Sequence, residues 1–353
     1  MKRIFTYSLL FFILLTACED VYEPDIDVVD NVLVADARIS ADSETNTIHI
    51  YESVPYYDNA GTGPGIVSAK VSLSSSSGEE FQLIHSDDGQ YKLNRKLNPD
   101  EAYKLRIEYG GNVYESEFEE VPKTPSLDFV YGFEESQVRE VGGENDVDNF
   151  KETKGVQLYA DITENEDMPY HRFTARHIVQ YTYLVEVDGP FGATSYETMY
   201  GWKTTYPAGS FNIASPPEYA SSKEIKKHPL FFLPNTMKYE EEHNFAGWII
   251  ILSHYGITAN AHAYYSDLNK QLDSEGKIFD PLYVQARSNI SCTTNPELVI
   301  LGNFEISKSN ETRYFLRYVS ESSGFIFRPI EEFYEIPFSG EQLIEIPEFW
   351  QFP

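Results

Sequence analysis

Imidazoles, thiols and carboxylates are the side chains through which this chain would bind a metal or move a proton. Its eight histidines are His49, His85, His171, His177, His228, His243, His254 and His262. None falls in an H-E-x-x-H or H-x-H pattern, the spacings that put two imidazoles on one face. His254 and His262 flank the start of a predicted helix, and His243 lies near Glu240, Glu241 and Glu242. The set reads as scattered polar surface residues. Cys292 is the only cysteine besides Cys18 and reads as a buried, inert thiol. Glycoside hydrolysis needs two carboxyl groups about 5–10 Å apart. With 56 acidic residues, chance pairs are certain and carry no information. Glu115, Glu117, Glu119 and Glu120 read as an exposed strand face. No G-x-S-x-G elbow is present, and no phosphate-cradling glycine loop precedes a helix. No catalytic and no metal-binding residue is assigned, and no cofactor is expected beyond a lipid on Cys18. The expectation is a non-enzymatic protein, with a hydrolase lacking a recognisable motif as an alternative. Aromatic residues remain: Tyr181, Tyr183, Tyr196, Tyr200, Trp202 and Tyr206 cluster among Gly189, Gly192, Gly201 and Gly209. Aromatic faces stack on sugars and on protein partners, so these six residues are the candidate ligand- or partner-binding surface. The competing explanation is strand packing with half-buried tyrosines. Trp350 is expected to pin the last segment to the core.

Positioning these residues falls mainly to strands. Val67–Leu73 and Tyr103–Tyr109 alternate with period two, and Gly110-Gly111 joins the latter to a returning strand at Asn112–Phe118. Further strands are predicted at Val32–Val34, Thr47–Tyr51, Glu80–Ile84 and Gln90–Leu93, so residues 31–122 read as an antiparallel β-sandwich. Val121 to Pro125 reads as a linker. Residues 123–353 read as a larger β-rich unit. It has strands at Gly155–Ile162, Tyr170–Val187, Trp248–His254, Leu298–Ile306 and Thr312–Tyr318. An acidic, glycine-containing loop is expected over Gly132–Lys154 and an irregular stretch over Ser215–His228. One amphipathic helix is predicted at Ala261–Asp273, capped by Asn260 and ended by Gly276, with Tyr264 or Tyr265, Leu268 and Leu272 forming its apolar stripe.

The amino end addresses location. Lys2 and Arg3 precede an apolar run, Leu9–Leu15, that is shorter than the roughly 20 residues a spanning helix needs. It ends in Leu15-Thr16-Ala17-Cys18, a lipobox, so residues 1–17 read as a signal peptide and Cys18 as the lipidated first residue. Several acyl chains make such an anchor stable. Residues 18–30 form an acidic tether. It is similar to the signal that carries lipoproteins of Bacteroidetes-type bacteria to the outer face of the outer membrane. A net charge of −29 makes nucleic acid a poor partner. It also disfavours acidic polysaccharides and anionic headgroups as main ligands. With Cys18 lipidated, no internal disulfide is possible, and stability must come from packing.

Segments along the chain resemble the DUF4249 family of Bacteroidetes lipoproteins. They are Val32-Leu33-Val34-Ala35-Asp36, Ser68-Ala69-Lys70-Val71, Asp88-Gly89-Gln90-Tyr91, Ala102-Tyr103-Lys104-Leu105 and Val113-Tyr114-Glu115-Ser116. They continue through Tyr264-Tyr265, Gly276-Lys277-Ile278-Phe279-Asp280-Pro281, Ser288-Asn289-Ile290, Asn295-Pro296-Glu297, Leu301-Gly302-Asn303-Phe304 and Pro347-Glu348-Phe349-Trp350. The family usually has glycine where Ser288 stands and often an aromatic where Asn303 stands, and many members carry paired cysteines near the carboxyl end. The resemblance implies an accessory or substrate-capture subunit of a TonB-dependent, SusC-like outer-membrane transporter. The first unit is also similar to the carboxypeptidase-regulatory-like sandwich. The ligand class, whether small molecule, glycan or peptide, stays open, and a surface adhesin or free glycan-binding module is the alternative of a different class.

Overall fold

The computed structural model describes residues 32–54, 63–140, 150–163, 169–188, 194–207, 211–218, 223–235, 238–240, 243–273, 285–320 and 324–331. The expected signal peptide, Cys18, the expected tether, Gly276–Pro281 and Pro347–Trp350 lie outside them. The chain is mainly β, with one helix and three sheets among the described residues.

The amino-terminal strands are β1 (Leu33–Ser40), β2 (Asn46–Glu52), β3 (Lys70–Ser75), β4 (Glu80–Gln82), β5 (Ile84–Asp87), β6 (Gln90–Leu93), β7 (Ala102–Tyr109), β8 (Asn112–Ser116) and β9 (Glu119–Glu120). Alternation decides their faces. In β7, Tyr103, Leu105 and Ile107 are buried while Lys104, Arg106 and Glu108 turn outward. Gly110 and Gly111 both have positive φ, as the predicted hairpin turn demands. Two sheets face each other. Ala35, Ala37, Ile39, Ile48 and Ile50 of the first pack on Val71, Leu73, Leu105 and Ile107 of the second.

The second unit contains β10 (Phe129–Glu140), β11 (Phe150–Ile162), β12 (His171–Asp188), β13 (Thr194–Thr205), β14 (Asn212–Ala214), β15 (Ile225–Pro234), β16 (Lys238–Glu240) and β17 (His243–Gly256). These are followed by helix α1 (Ala259–Asp273), β18 (Ile290–Cys292), β19 (Ile300–Ser320) and β20 (Gly324–Pro329). A three-stranded sheet, β10-β11-β15, covers one face of the β12-β17-β19 sheet. Val156, Leu158 and Leu233 meet Phe173, Val179, Trp248, Ile250 and Leu316 there.

The two units are not separate beads. β18 pairs with β8. The first eight residues of β19 pair with β1, the one parallel pairing among the described strands. Ile290, Phe304 and Ile306 complete the amino-terminal core. From Lys308 onward the same strand pairs with β17. β19 is therefore one strand of 21 residues where two were expected. The stretch expected to be a loop at Gly132–Lys154 is largely the hairpin β10–β11, paired residue for residue from Phe129↔Asp161 to Glu140↔Phe150. The helix starts two residues earlier than expected. Thr258, rather than Asn260, caps it through Ala261 N–H to Thr258 Oγ1 (3.3 Å). Leu272 is exposed, so the buried stripe is Ala261, Tyr265 and, partly, Tyr264 and Leu268.

Candidate functional site

The helix is held on the outer face of the amino-terminal sandwich by a buried carboxylate. Glu119 accepts from Thr258 Oγ1 (2.5 Å), Asn260 Nδ2 (3.1 Å) and Asn289 Nδ2 (3.0 Å). Asn289 in turn brackets Phe304, accepting its N–H at 2.9 Å and donating to its carbonyl at 2.7 Å. Glu119 is thus a structural post rather than part of an exposed acidic face. It sits at an inward position and is 1% exposed. Glu115, by contrast, is paired with Lys104 (2.8 Å) and Arg106 (2.5 Å).

Beneath the helix runs a groove whose floor is the outer face of β19, β1 and β2. Because Ala35, Ala37 and Ile39 point into the core, Val34, Asp36 and Arg38 must point out. One cavity of about 520 Å³ lies between this floor and the helix. It is lined by Asp36, Arg38, Tyr51, Phe211, Tyr264, Tyr265, Gln271, Gln285 and Asn303, among others. A second, of about 510 Å³, continues over β2 and β6 past His49, Gln90, Asp87 and Asp88, under Gly63 and Gly65. Asp36, Arg38 and Tyr51 belong to both, so the two are halves of one groove. At its centre Arg38 grips Asp36 in a two-pronged pair, Nε to Oδ1 at 2.7 Å and Nη2 to Oδ2 at 2.6 Å.

A second ion pair stands behind the helix wall. Arg172 donates to Glu305 at 2.7 Å, with both side chains almost fully buried, and its guanidinium lies over the rings of Tyr255 (4.1 Å) and Tyr265 (5.1 Å). Burial, and then the Glu305 carboxylate, push the Tyr265 phenol far above its ordinary range. Burial, and then Asp36, raise Tyr51 and Tyr264. All three phenols therefore remain hydrogen-bond donors at any physiological pH. Asn303, 6% exposed, donates to the Phe304 carbonyl (3.2 Å), while its Oδ1 has no partner. The outward turn at this point depends on Gly302, whose φ is +87°. A β-carbon there would sit 2.1 Å from the Ala35 carbonyl oxygen.

The aromatic cluster picked out from sequence is divided. In the β12–β13 hairpin, Tyr181 and Tyr183 stand opposite Gly201 and Met199, whereas Tyr196, Tyr200 and Trp202 stand opposite Glu186, Thr182 and Gln180. Facing partners share a side of the sheet, so the first two rings are on one face and the other three on the opposite one. The ring of Tyr181 lies across Gly201, where a β-carbon would be 2.4 Å from Cζ. Trp202 is buried with Ile178, Ile249 and Ile251, while Tyr196 and Tyr206 are 64% and 73% exposed. Among the described residues, 183–188 pair with β13 alone, since pairing to β17 stops at Thr182. This half of the hairpin projects as a two-stranded arm.

The histidines also differ from expectation. His171, His177 and His254 occupy inward positions and are almost fully buried. His254 Nε2 meets His171 Nδ1 at 2.8 Å, His254 stacks on Phe173, and His177 meets Trp248 edge-on. Burial lowers His171, His177 and His228 to about 4. Among the described residues no three His, Cys, Asp or Glu side chains are grouped to hold a metal ion. Cys292 is buried, its Sγ 3.4 Å from Thr294 Oγ1.

Sequence reasoning misses the groove as a site. Val34 and Asp36, Asp88 and Gln90, Tyr264 and Tyr265, and Leu301, Gly302 and Asn303 lie in segments that carry the family resemblance, and all line the groove. The available signal was two charged residues, Asp36 and Arg38, two apart on the outer face of an otherwise apolar strand. The family model for a domain of unknown function, DUF4249, matches residues 19–313, and the chain belongs to that family. No curated protein matches it.

Proposed function

We propose that this chain is a non-enzymatic lipoprotein of the outer-membrane surface, anchored through a lipid on Cys18 and facing the cell exterior. In this reading it captures a ligand in the groove and serves as an accessory subunit of a TonB-dependent transporter. One observation carries the proposal. Four of the segments by which the chain resembles its family line a groove with an aromatic wall and a polar floor, sited at the junction of two units, where ligand sites concentrate. The carboxylates on its aromatic side favour binding over acid–base chemistry. Asp36 is held by Arg38 and Glu305 by Arg172, so each carboxylate already has a charged hydrogen-bond partner. The geometry suits an anchored receptor. β1 starts beside the groove, and β19, rising about 3.3 Å per residue, runs from there past the second core.

The anchor is tested by metabolic labelling with an alkynyl fatty acid. Label and detergent-phase partitioning are expected in the native chain and lost on Cys18→Ser. The partner is tested by light crosslinking of a carboxyl-terminally tagged chain expressed from its own locus, followed by mass spectrometry. A stoichiometric outer-membrane barrel is the expected result. Its absence under mild detergent overturns the transporter role.

A further inference from the structure

The groove's chemistry narrows its ligand. We propose that it binds a neutral oligosaccharide, laid across the Asp36–Arg38 pair from the aromatic half to the polar half; this rests on the reading of the groove as a ligand site.

Four features lead there. First, the floor is the interior of a sheet. β1 is hydrogen-bonded to β19 on one side and β2 on the other, and β2 also to β6. The floor offers no free backbone edge, so a peptide cannot dock by strand addition, and recognition must come from side chains. Second, those side chains are flat and polar: the Arg38 guanidinium, the Asp36 carboxylate and the amides of Gln90, Gln271, Gln285 and Asn303. Such groups bond adjacent hydroxyls in pairs, and a hydroxyl can donate to one and accept from its neighbour. Asn303 supplies an acceptor, buried and without a partner, that a ligand hydroxyl would satisfy. Third, Tyr51, Tyr264, Tyr265 and Phe211 give ring surface for the apolar faces of sugar rings. Fourth, the charges disfavour two other classes. Asp36 and Arg38 cancel, and the polar half adds Asp87 and Asp88, which repel an anion. A wholly apolar ligand would strip water from the Asp36–Arg38 pair without replacing its hydrogen bonds. Two cavities joined end to end accommodate an extended ligand rather than a single sugar.

The experiment uses the full chain, purified in a detergent without a sugar headgroup. It is applied to an array of neutral and anionic oligosaccharides and to a panel of cationic and neutral peptides. Titration calorimetry follows with maltohexaose, cellohexaose, xylohexaose and mannohexaose as neutral probes and hexagalacturonate as the anionic one. Binding of at least one neutral glycan is expected. It should weaken about tenfold or more in Tyr264→Ala and in the near-isosteric Asn303→Leu, and stay unchanged in Val138→Ala, an exposed site on β10 outside the groove. Thermal melts identify any variant that fails to fold, and Gln271→Ala then takes its place. If only peptides bind, and Tyr264→Ala abolishes this, the ligand class is wrong while the groove stands. Tighter binding of hexagalacturonate than of the neutral probes also overturns the proposal. If no bound molecule depends on Tyr264, Asn303 or Gln271, the groove reading falls with it.

Discussion

The two sandwiches share one strand and solve opposite problems with it. In the amino-terminal unit, strands are short, the inner faces are closed by aliphatic residues with Tyr91, Tyr103 and Phe304, and the outer face beneath the helix is polar and hollow. In the second unit, strands run to 18 and 21 residues. They overrun their own core, so their far ends leave the sheet as hairpin arms with Leu184 and Tyr196 exposed. The same unit buries His171, His177 and His254, whereas His49 and His85 of the first are exposed. The first sandwich is built to present a face, the second to present ends. β19, the β8–β18 pairing and the Arg172–Glu305 pair, contributed one side chain from each half of the long sheet, hold them together.

That pair is where the comparison breaks most readily. Glu305→Ala leaves a buried guanidinium uncompensated and is expected to cost about 3–5 kcal/mol in denaturant unfolding. The double change Arg172→Met with Glu305→Leu should recover most of it. Next come Phe304→Ala and Leu316→Ala. Both residues are fully buried in β19 but lie in different cores, with expected losses of about 3–5 and 2–5 kcal/mol. A single unfolding transition that shifts in both variants would show that the shared strand makes the sandwiches cooperative. Two transitions, each moved by one variant, would show that they are independent.

Acid should separate the units more gently. His171, His177 and His228 are all in the second sandwich, and burial depresses them to about 4 from an unfolded value near 6.5. Protons then bind the unfolded chain more readily than the folded one. The stability these neutral imidazoles preserve is complete above pH 6.5 and is lost progressively as pH falls through 4, by about 1–3 kcal/mol for each. His177→Phe should flatten that dependence in pH-dependent melts. Gly302→Ala should cost more than about 1 kcal/mol through backbone strain alone, with its effect confined to the β1–β19 crossing in amide exchange. Tyr196→Ala, on the projecting arm, should change stability by less than about 0.5 kcal/mol.

Much of the first sandwich was legible because half-buried strands alternate. Gln90–Leu93 is bounded as expected, and Tyr103–Tyr109 falls short by one residue. The second unit hid its longest elements. Lys308, Ser309, Asn310 and Glu311 read as a break between two strands. In the structure they lie where β19 leaves one core for the other, where polarity reflects solvent rather than a turn. The β10–β11 arm reads as loop for the same reason: a projecting hairpin has no apolar face to advertise. The groove was illegible as a site because its residues come from β1, β2, the β5–β6 turn, α1 and β19, and only pairing and helix placement bring these together. The aromatic cluster shows the reverse error. Closeness in sequence did not imply a shared face, since odd and even positions of β12 look in opposite directions.

The parallel match of Leu33–Ser40 with Ile300–Ser307 also governs how the molecule comes into being. A chain emerging amino end first delivers most of the first sandwich early, yet β1 has an empty flank and the core lacks Ile290, Phe304 and Ile306 until most of the chain has been made. Contacts across so long a loop form slowly, and a waiting strand edge is the surface that chaperones must shield. Here the order of synthesis and the order of assembly run in opposite senses: among the first residues made are some of the last to be secured.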